Sequence, residues 1–170
     1  MQALILFFAE LCALRKTPQD LPASNVLFGL VVLAAVVVGV VIGLVAGLSF
    51  GVSSLHTVVE LALTLMALSL ALRLVGKPSR FLQAATALLG AGVVIGVIAI
   101  LPLSLNPTGP EESDLAALGA LLLLVIFVWS VVVTGHILRH TFAITLGQAA
   151  AITVAFKIAM VLVLGSLGSL

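Results

Sequence analysis

The feature that most constrains this chain is a long stretch near its start that carries no charge. Between Asn25 and Ser49 there is no ionisable residue, and about 20 apolar residues suffice for a helix to cross the hydrocarbon core of a bilayer. Over all 170 residues, 63% are hydrophobic and 8% are charged, whereas soluble domains carry about 25% charged residues. The sequence therefore predicts an all-α, polytopic membrane helical bundle that is surrounded by lipid.

Four more apolar runs follow, separated by short segments that contain proline, glycine or polar residues. We predict five transmembrane helices, at about 26–50, 54–75, 81–104, 115–137 and 141–168. They form one transmembrane domain, residues 25–170, which a cytoplasmic segment, residues 1–24, precedes. Pro18 and Pro22 make the end of that segment a turn, because each proline lacks a backbone donor and disfavours helix in the residue before it.

The cytoplasmic segment begins with a shorter apolar run that ends in Arg15 and Lys16. A signal peptide would carry its positive charge before the apolar run, and this run is too short to cross a bilayer. We predict a short N-terminal interfacial helix over residues 2–15 that lies on the membrane. The alternative is a buried helix packed against the bundle. Cys12 is the single cysteine, which excludes an internal disulfide and a multi-cysteine metal site.

The basic residues at the ends of the predicted spans and in the segments between them indicate how the bundle is oriented. In the five-helix arrangement they fall on one side: Arg15, Lys16, Arg73, Lys77, Arg80 and Arg139. Because cytoplasmic loops retain Lys and Arg, we expect a cytoplasmic N-terminus and an external C-terminus. The loop with Glu111, Glu112 and Asp114 lies outside in this arrangement. A net charge of +1 gives no reason to expect a nucleic-acid partner.

Small residues recur at every fourth position in the first and the last predicted transmembrane helix. The first stripe is Ala35, Gly39, Gly43, Gly47 and Gly51, and the second is Ala143, Gly147, Ala151, Ala155 and Ala159. Such stripes let two helix backbones approach closely, so we predict that these two helices cross in the manner of a glycine zipper. The alternative is contact with another protomer or another membrane protein, which the spacing alone does not distinguish.

Two charged residues interrupt the predicted spans, Glu60 in the second helix and Lys157 in the fifth. Charged residues at membrane depth usually face a partner, a cavity or a pathway. We predict an intramembrane ion pair between them, lined by His56, Thr64 and Thr153. The pair either fixes the order of the helices or forms a proton or substrate site.

A third polar group lies at the end of the fourth predicted helix, where His136 and His140 flank Arg139. Two histidines four residues apart on a helix can bind a metal ion, but no third ligand is near in the sequence and Arg139 disfavours a bound cation. We therefore predict basic anchoring at the membrane interface, with no metal site and no cofactor.

The sequence contains no nucleophile elbow, HExxH motif, P-loop, CxxC motif or paired carboxylates on a helix. We therefore predict that the protein is not an enzyme. The favoured function is a membrane scaffold or accessory subunit that associates with other membrane proteins or with itself. The alternative is a small transporter or channel that uses Glu60 and His56, which requires a hydrated path to Glu60.

Two short segments carry a resemblance to a known group of proteins. They are RKTPQDLPAS at 15–24 and GHILRHTF at 135–142, in a chain with a short apolar N-terminal run and five predicted crossings. In this order of elements the chain resembles uncharacterised bacterial five-span integral membrane proteins, some of which are similar to the Yip1-like family. The resemblance implies a cytoplasmic N-terminus and a bundle of five transmembrane helices.

Overall fold

The computed structural model describes residues 2–105 and 113–167, and all the regular structure in these ranges is helical. The α-helices are α1 (Gln2–Cys12), α2 (Asn25–Val45), α3 (Phe50–Leu74), α4 (Phe81–Ser104), α5 (Asp114–Phe142) and α6 (Leu146–Leu167). Short 3₁₀ turns at Pro18–Asp20 and Pro78–Arg80 precede α2 and α4. Five helices, α2 to α6, are long and apolar enough to cross a membrane. The predicted all-α bundle with five membrane-length helices is confirmed.

Serine side chains define where three of the long helices begin. Ser24 accepts a hydrogen bond from the Leu27 backbone N–H at 3.3 Å and so caps α2. Ser49 and Ser113 cap α3 and α5 in the same way. Each cap satisfies one of the backbone donors that a helix leaves free at its N-terminus.

The first transmembrane helix is shorter than the sequence predicted. It ends at Val45, and α3 already begins at Phe50. Gly47 lies in the turn between them with φ of +86°, a backbone conformation that glycine adopts without steric cost. The predicted stripe is therefore wrong at its end, because Gly47 belongs to the turn and Gly51 belongs to α3.

The last turn between helices also differs from the prediction. Helix α5 continues to Phe142 and is closed by Ala143, whose φ of +60° gives a left-handed cap. Helix α6 begins at Leu146, later than the predicted start near residue 141. His140, which lay beyond the predicted end at residue 137, therefore belongs to α5 together with His136.

The helices form an open arc in the order α3, α2, α4, α5, α6. Helix α4 is at the centre and packs against α2, α5 and α1, while α3 packs on α2 and α6 packs on α5. The two ends of the arc, α3 and α6, meet at only a few positions. This arrangement leaves space inside the arc and along the line where α3 faces α6.

Helix α1 packs against α4 and α5 through one face. Phe8, Leu11 and Cys12 are buried, and the Trp129 indole N–H donates to the Cys12 backbone oxygen at 3.0 Å. The Cys12 thiol lies against the Ala91 backbone oxygen at 3.8 Å. Because Ala91 is ten residues into α4, or about 15 Å along its axis, the alternative of a helix packed against the bundle describes this end of α1 better than an interfacial helix. Its other face, with Leu4, Ile5 and Leu6, is exposed.

Candidate functional site: a polar cavity inside the arc

A cavity of about 420 Å³ lies inside the arc, and all five long helices contribute to its wall. This volume is within the range of about 300–1,000 Å³ that small-molecule sites occupy. Most of the lining is aliphatic or aromatic. Its polar side chains are Thr57, Glu60, Thr64, Thr134, Thr153 and Lys157. The cavity therefore combines an apolar wall with a few polar groups, including one acid and one amine.

Glu60 and Lys157 lie at the same depth in the bundle. Glu60 is ten residues after the start of α3, and Lys157 is ten residues before the end of α6. These two helix termini lie at the same end of the bundle, so each charge is about 15 Å from that end at about 1.5 Å per residue. This depth is close to the middle of a hydrocarbon core of about 30 Å.

The two charges share the cavity without forming an ion pair. In residues 2–105 and 113–167, no Lys157 nitrogen lies within 4.0 Å of a Glu60 oxygen, although the two groups interact electrostatically. The Lys157 ammonium instead lies 5.7 Å from the centroid of the Phe127 ring, in cation–π geometry. The direct ion pair that the sequence predicted is therefore not formed in the structure, in which the lysine head lies beside Phe127 of α5.

The threonines of the cavity differ in whether their hydroxyls are already engaged. Thr57 and Thr153 each donate to the backbone oxygen four residues earlier, at 2.8 Å and 2.9 Å. The hydroxyls of Thr64 and Thr134 make no hydrogen bond to any part of the chain that the structure describes. A hydroxyl both donates and accepts, so Thr64 and Thr134 are available to a ligand.

His56 does not line the cavity, so its predicted role there is wrong. Its Nε2 atom is buried and has no hydrogen-bond partner among the described residues, as is true of Ser53 Oγ. Sequence reasoning missed Thr134. Thr57 could be identified from the sequence, since Thr57, Glu60 and Thr64 are spaced three and four residues apart and therefore share one helix face.

The small-residue stripes pack differently from the prediction. A side chain at Gly39 would meet Thr57, and one at Gly43 would meet Ser53, so the stripe of α2 faces α3 and not α6. On α6 the stripe members Gly147, Ala151 and Ala155 are exposed. The small residues that α6 does use for packing are Ala149 and Ala150, whose backbone faces Gly135 of α5.

The end of the bundle that carries Lys77, Arg80 and the C-terminus of α5 is called the basic end below. The Lys77 ammonium donates to the Phe142 backbone oxygen at 3.0 Å, and the Arg80 guanidinium donates to the Thr141 oxygen at 3.1 Å. Cations that donate to the last carbonyls of a helix stabilise its C-terminus. These two contacts hold the segment between α3 and α4 to α5.

Side chains also fasten the segment before α2 to the basic end. A ring nitrogen of His136, Nε2, lies 3.1 Å from the Lys16 backbone oxygen, and the Gln19 amide donates to the His140 oxygen at 3.3 Å. Among the described residues, no group of three or more His, Cys, Asp or Glu side chains could hold a metal ion. Of the acidic residues in the predicted external loop, Asp114 forms no ion pair with the described residues, and Glu111 and Glu112 lie outside the described residues.

No protein-family model, curated protein or solved structure matches this chain. The resemblance to Yip1-like proteins therefore stays a prediction. The candidate functional site is therefore the cavity, whose wall includes Glu60, Lys157, Thr64 and Thr134.

Proposed function

We propose that the protein is a small, non-enzymatic transporter of a bacterial inner membrane, whose cavity binds a molecule that carries both a cationic and an anionic group. The observation that supports this proposal is the presence of Glu60 and Lys157 in one cavity, at one depth, without a direct ion pair between them. The expected orientation, with the N-terminus in the cytoplasm, follows from the basic end.

The free-energy cost of placing a charge inside a membrane favours a cavity that water or a polar molecule enters. An isolated charge inside a membrane is costly and is retained where it faces water, a partner or a substrate. A purely structural link would place the two charges in direct contact, because only close geometry offsets their desolvation. A dipolar molecule would instead place its cation near Glu60 and its anion near Lys157, and the hydroxyls of Thr64 and Thr134 would be available to its other polar groups.

The test is the reactivity of a cysteine that lines the cavity. In a Cys12→Ala background, Thr64→Cys should react with a water-soluble, membrane-impermeant maleimide in purified protein reconstituted into nanodiscs. Ala62→Cys is the matched control, because Ala62 lies two residues away on α3, is exposed and does not line the cavity. Equal and negligible labelling of both variants would mean a dry cavity and would overturn the proposal.

The native thiol gives this experiment a low background. Burial raises the pKa of Cys12 to about 11, so at neutral pH the thiol stays protonated, and the thiolate is the reactive form. The wild-type protein, in which Cys12 is the single thiol, should therefore react slowly with the maleimide. This rate can be measured before Cys12 is replaced.

A second candidate function, a membrane scaffold or accessory subunit, is supported by the outer face of α6. There Gly147, Ala151 and Ala155 are exposed, and small residues on a lipid-facing surface allow another helix to approach closely. Ala151→Leu combined with Ala155→Leu should then abolish copurification of a stoichiometric partner, or self-association, in mild detergent. If the double variant purifies with the same partners in the same amounts, this face is not an interaction surface.

A further inference from the structure

A second space, distinct from the cavity, lies on the outside of the bundle where α3 faces α6. It is a groove of about 660 Å³, lined by aliphatic and aromatic side chains such as Met66, Leu70 and Phe156, with Arg73 as its single charged residue. Phe156 and Met160 line both spaces and separate the groove from the polar cavity.

The length of the groove corresponds to one leaflet of a bilayer. On α3 it extends from Leu63 to Arg73, which is about 15 Å at 1.5 Å per residue. Half of a hydrocarbon core of about 30 Å has the same length. The groove ends at Arg73, in the last turn of α3, so it covers the leaflet on the basic side of the bundle.

Arg73 differs from the other cations of this loop. Lys77 and Arg80 are engaged with the carbonyls of α5, whereas the guanidinium of the exposed Arg73 has no hydrogen-bond or ion-pair partner in residues 2–105 and 113–167. A guanidinium matches the geometry of a phosphate and can bind two of its oxygens at once. An apolar groove one leaflet long with a free guanidinium at its interfacial end matches a phospholipid in both shape and charge.

We propose that this groove binds one acyl chain of an anionic phospholipid whose phosphate group contacts Arg73. This site lies beyond the proposed transport function, because it uses neither Glu60 nor Lys157. A second copy of the chain fits the groove less well, since an apolar helix placed there would bury Arg73 without a counter-charge. Anionic lipids are enriched on the cytoplasmic side of membranes, where the basic end is expected.

The experiment is native mass spectrometry of the full chain in detergent with added lipid. Phosphatidylglycerol and phosphatidylcholine with identical acyl chains are compared, so that only the headgroup charge differs. The wild-type protein should retain more phosphatidylglycerol than phosphatidylcholine. Arg73→Gln should lose that preference by about fivefold, the effect expected of one basic residue at a membrane surface, and Arg73→Lys should keep most of it.

Arg139→Gln is the matched control for charge. It removes an exposed cation from the same end of the bundle, but Arg139 does not line the groove, so the lipid preference should stay unchanged. If Arg139→Gln and Arg73→Gln reduce the preference equally, the lipid responds to diffuse surface charge and the specific site is refuted.

A second pair of variants tests the acyl chain. Ala67 is exposed and lines the groove, so Ala67→Phe should lower retention of both lipids, while Ala62→Phe, outside the groove, should not. Unchanged retention in Ala67→Phe would mean that no chain occupies the groove. Thiol labelling of Thr64→Cys reports only on the cavity, so failure of the lipid site and failure of the transport proposal give different results.

Discussion

Around α4 the bundle is closely packed, whereas α3 and α6 leave space between them. Of the residues in the apolar span of α4, 39% are buried inside the protein, against 17% for α3 and for α6 and 11% for α2 and for α5. All five helices are strongly apolar, so hydrophobicity does not explain why α4 is the most buried of them. Most of the buried residues of α4 are small, including Ala84, Ala85, Ala87, Gly90 and Ala91. In a membrane, close packing depends on small residues facing a partner, because lipid is as apolar as the side chains themselves.

Two glycines within one turn of α4 show the difference between its packed side and its open side. At Gly90 a side chain would collide with the ring of Phe8 from α1, whereas at Gly92 nothing lies within 4 Å of an added Cβ because Gly92 lines the cavity. Gly90→Leu should therefore lower the free energy of unfolding by about 2–3 kcal/mol through overpacking, measured by thermal or denaturant unfolding in detergent.

Gly92→Leu is the matched control for Gly90→Leu. The free energy of unfolding of this variant should be unchanged or higher by up to about 1 kcal/mol, since leucine has a higher helix propensity than glycine. It should also slow maleimide labelling of Thr64→Cys, because the leucine side chain enters the cavity. If Gly90→Leu and Gly92→Leu destabilise the protein equally, the packed and open sides of α4 do not differ as described.

The contact between α2 and α3 provides a smaller test of the same contrast. An added Cβ at Gly43 would lie 2.7 Å from the Ser53 Cβ and 3.2 Å from its Cα, and the backbone atom cannot move aside cheaply. Gly43→Ala should cost about 1–2 kcal/mol of stability. Gly51→Ala, where nothing lies within 4 Å, should cost nothing. A neutral Gly43→Ala would show that α2 and α3 are farther apart.

The cationic caps at the basic end should contribute less than the packing. Arg80→Met retains an apolar stem but removes the donor to the Thr141 oxygen, and we expect a loss of about 1 kcal/mol for a partly exposed bond to a charged group. Arg139→Met should have no measurable effect, because the exposed Arg139 side chain makes no hydrogen bond to the described residues. Equal effects of the two variants would argue against the cap.

The smallest expected effect is a dependence on pH at Asp20. The Thr17 backbone N–H and hydroxyl donate to its carboxylate at 2.8 Å and 3.0 Å, and the backbone bond is the main reason that the pKa of Asp20 lies below its usual value. A lowered folded-state pKa gives stability that is present above the unfolded pKa of about 3.9 and is lost as the pH falls through the folded value.

The contribution of Asp20 to stability can be measured by thermal unfolding between about pH 6 and pH 2.5, a range that extends from above to below the unfolded-state pKa of an aspartate. The melting temperature of the wild-type protein should fall more steeply in the acid part of this range than that of Asp20→Asn, which cannot titrate. Parallel curves for the two proteins would show that the Thr17 contacts contribute nothing.

Much of the fold was predictable because the signals are long. Each span holds twenty or more residues with at most two charges, and a hydropathy pattern of that length has one physical interpretation in lipid. The ends of the spans were less predictable. Nothing in the apolar run around Gly47 marks the positive φ of that residue, so the predicted first helix continued too far and drew Gly47 and Gly51 into one stripe.

The site was predictable in part for a similar reason. Charges within apolar helices identified Glu60 and Lys157, and helical spacing identified Thr64 and Thr153. Sequence could not give the partner of each helix, because the stripes of α2 and α6 are equally suited to any small-residue surface. It also could not show that Phe127 on α5 holds the ammonium of Lys157, since that contact depends on how α5 and α6 are rotated.

The central claim is that five membrane crossings bring Glu60 and Lys157 to one depth. Thiol labelling from the two sides of the membrane tests this claim most directly. In intact cells expressing the Cys12→Ala protein, an impermeant maleimide should label Leu48→Cys, in the turn between α2 and α3. It should label Ser79→Cys, in the segment between α3 and α4, only after the membrane is permeabilised. Equal labelling of both positions in intact cells would contradict the crossing of α3 and the shared depth of the two charges.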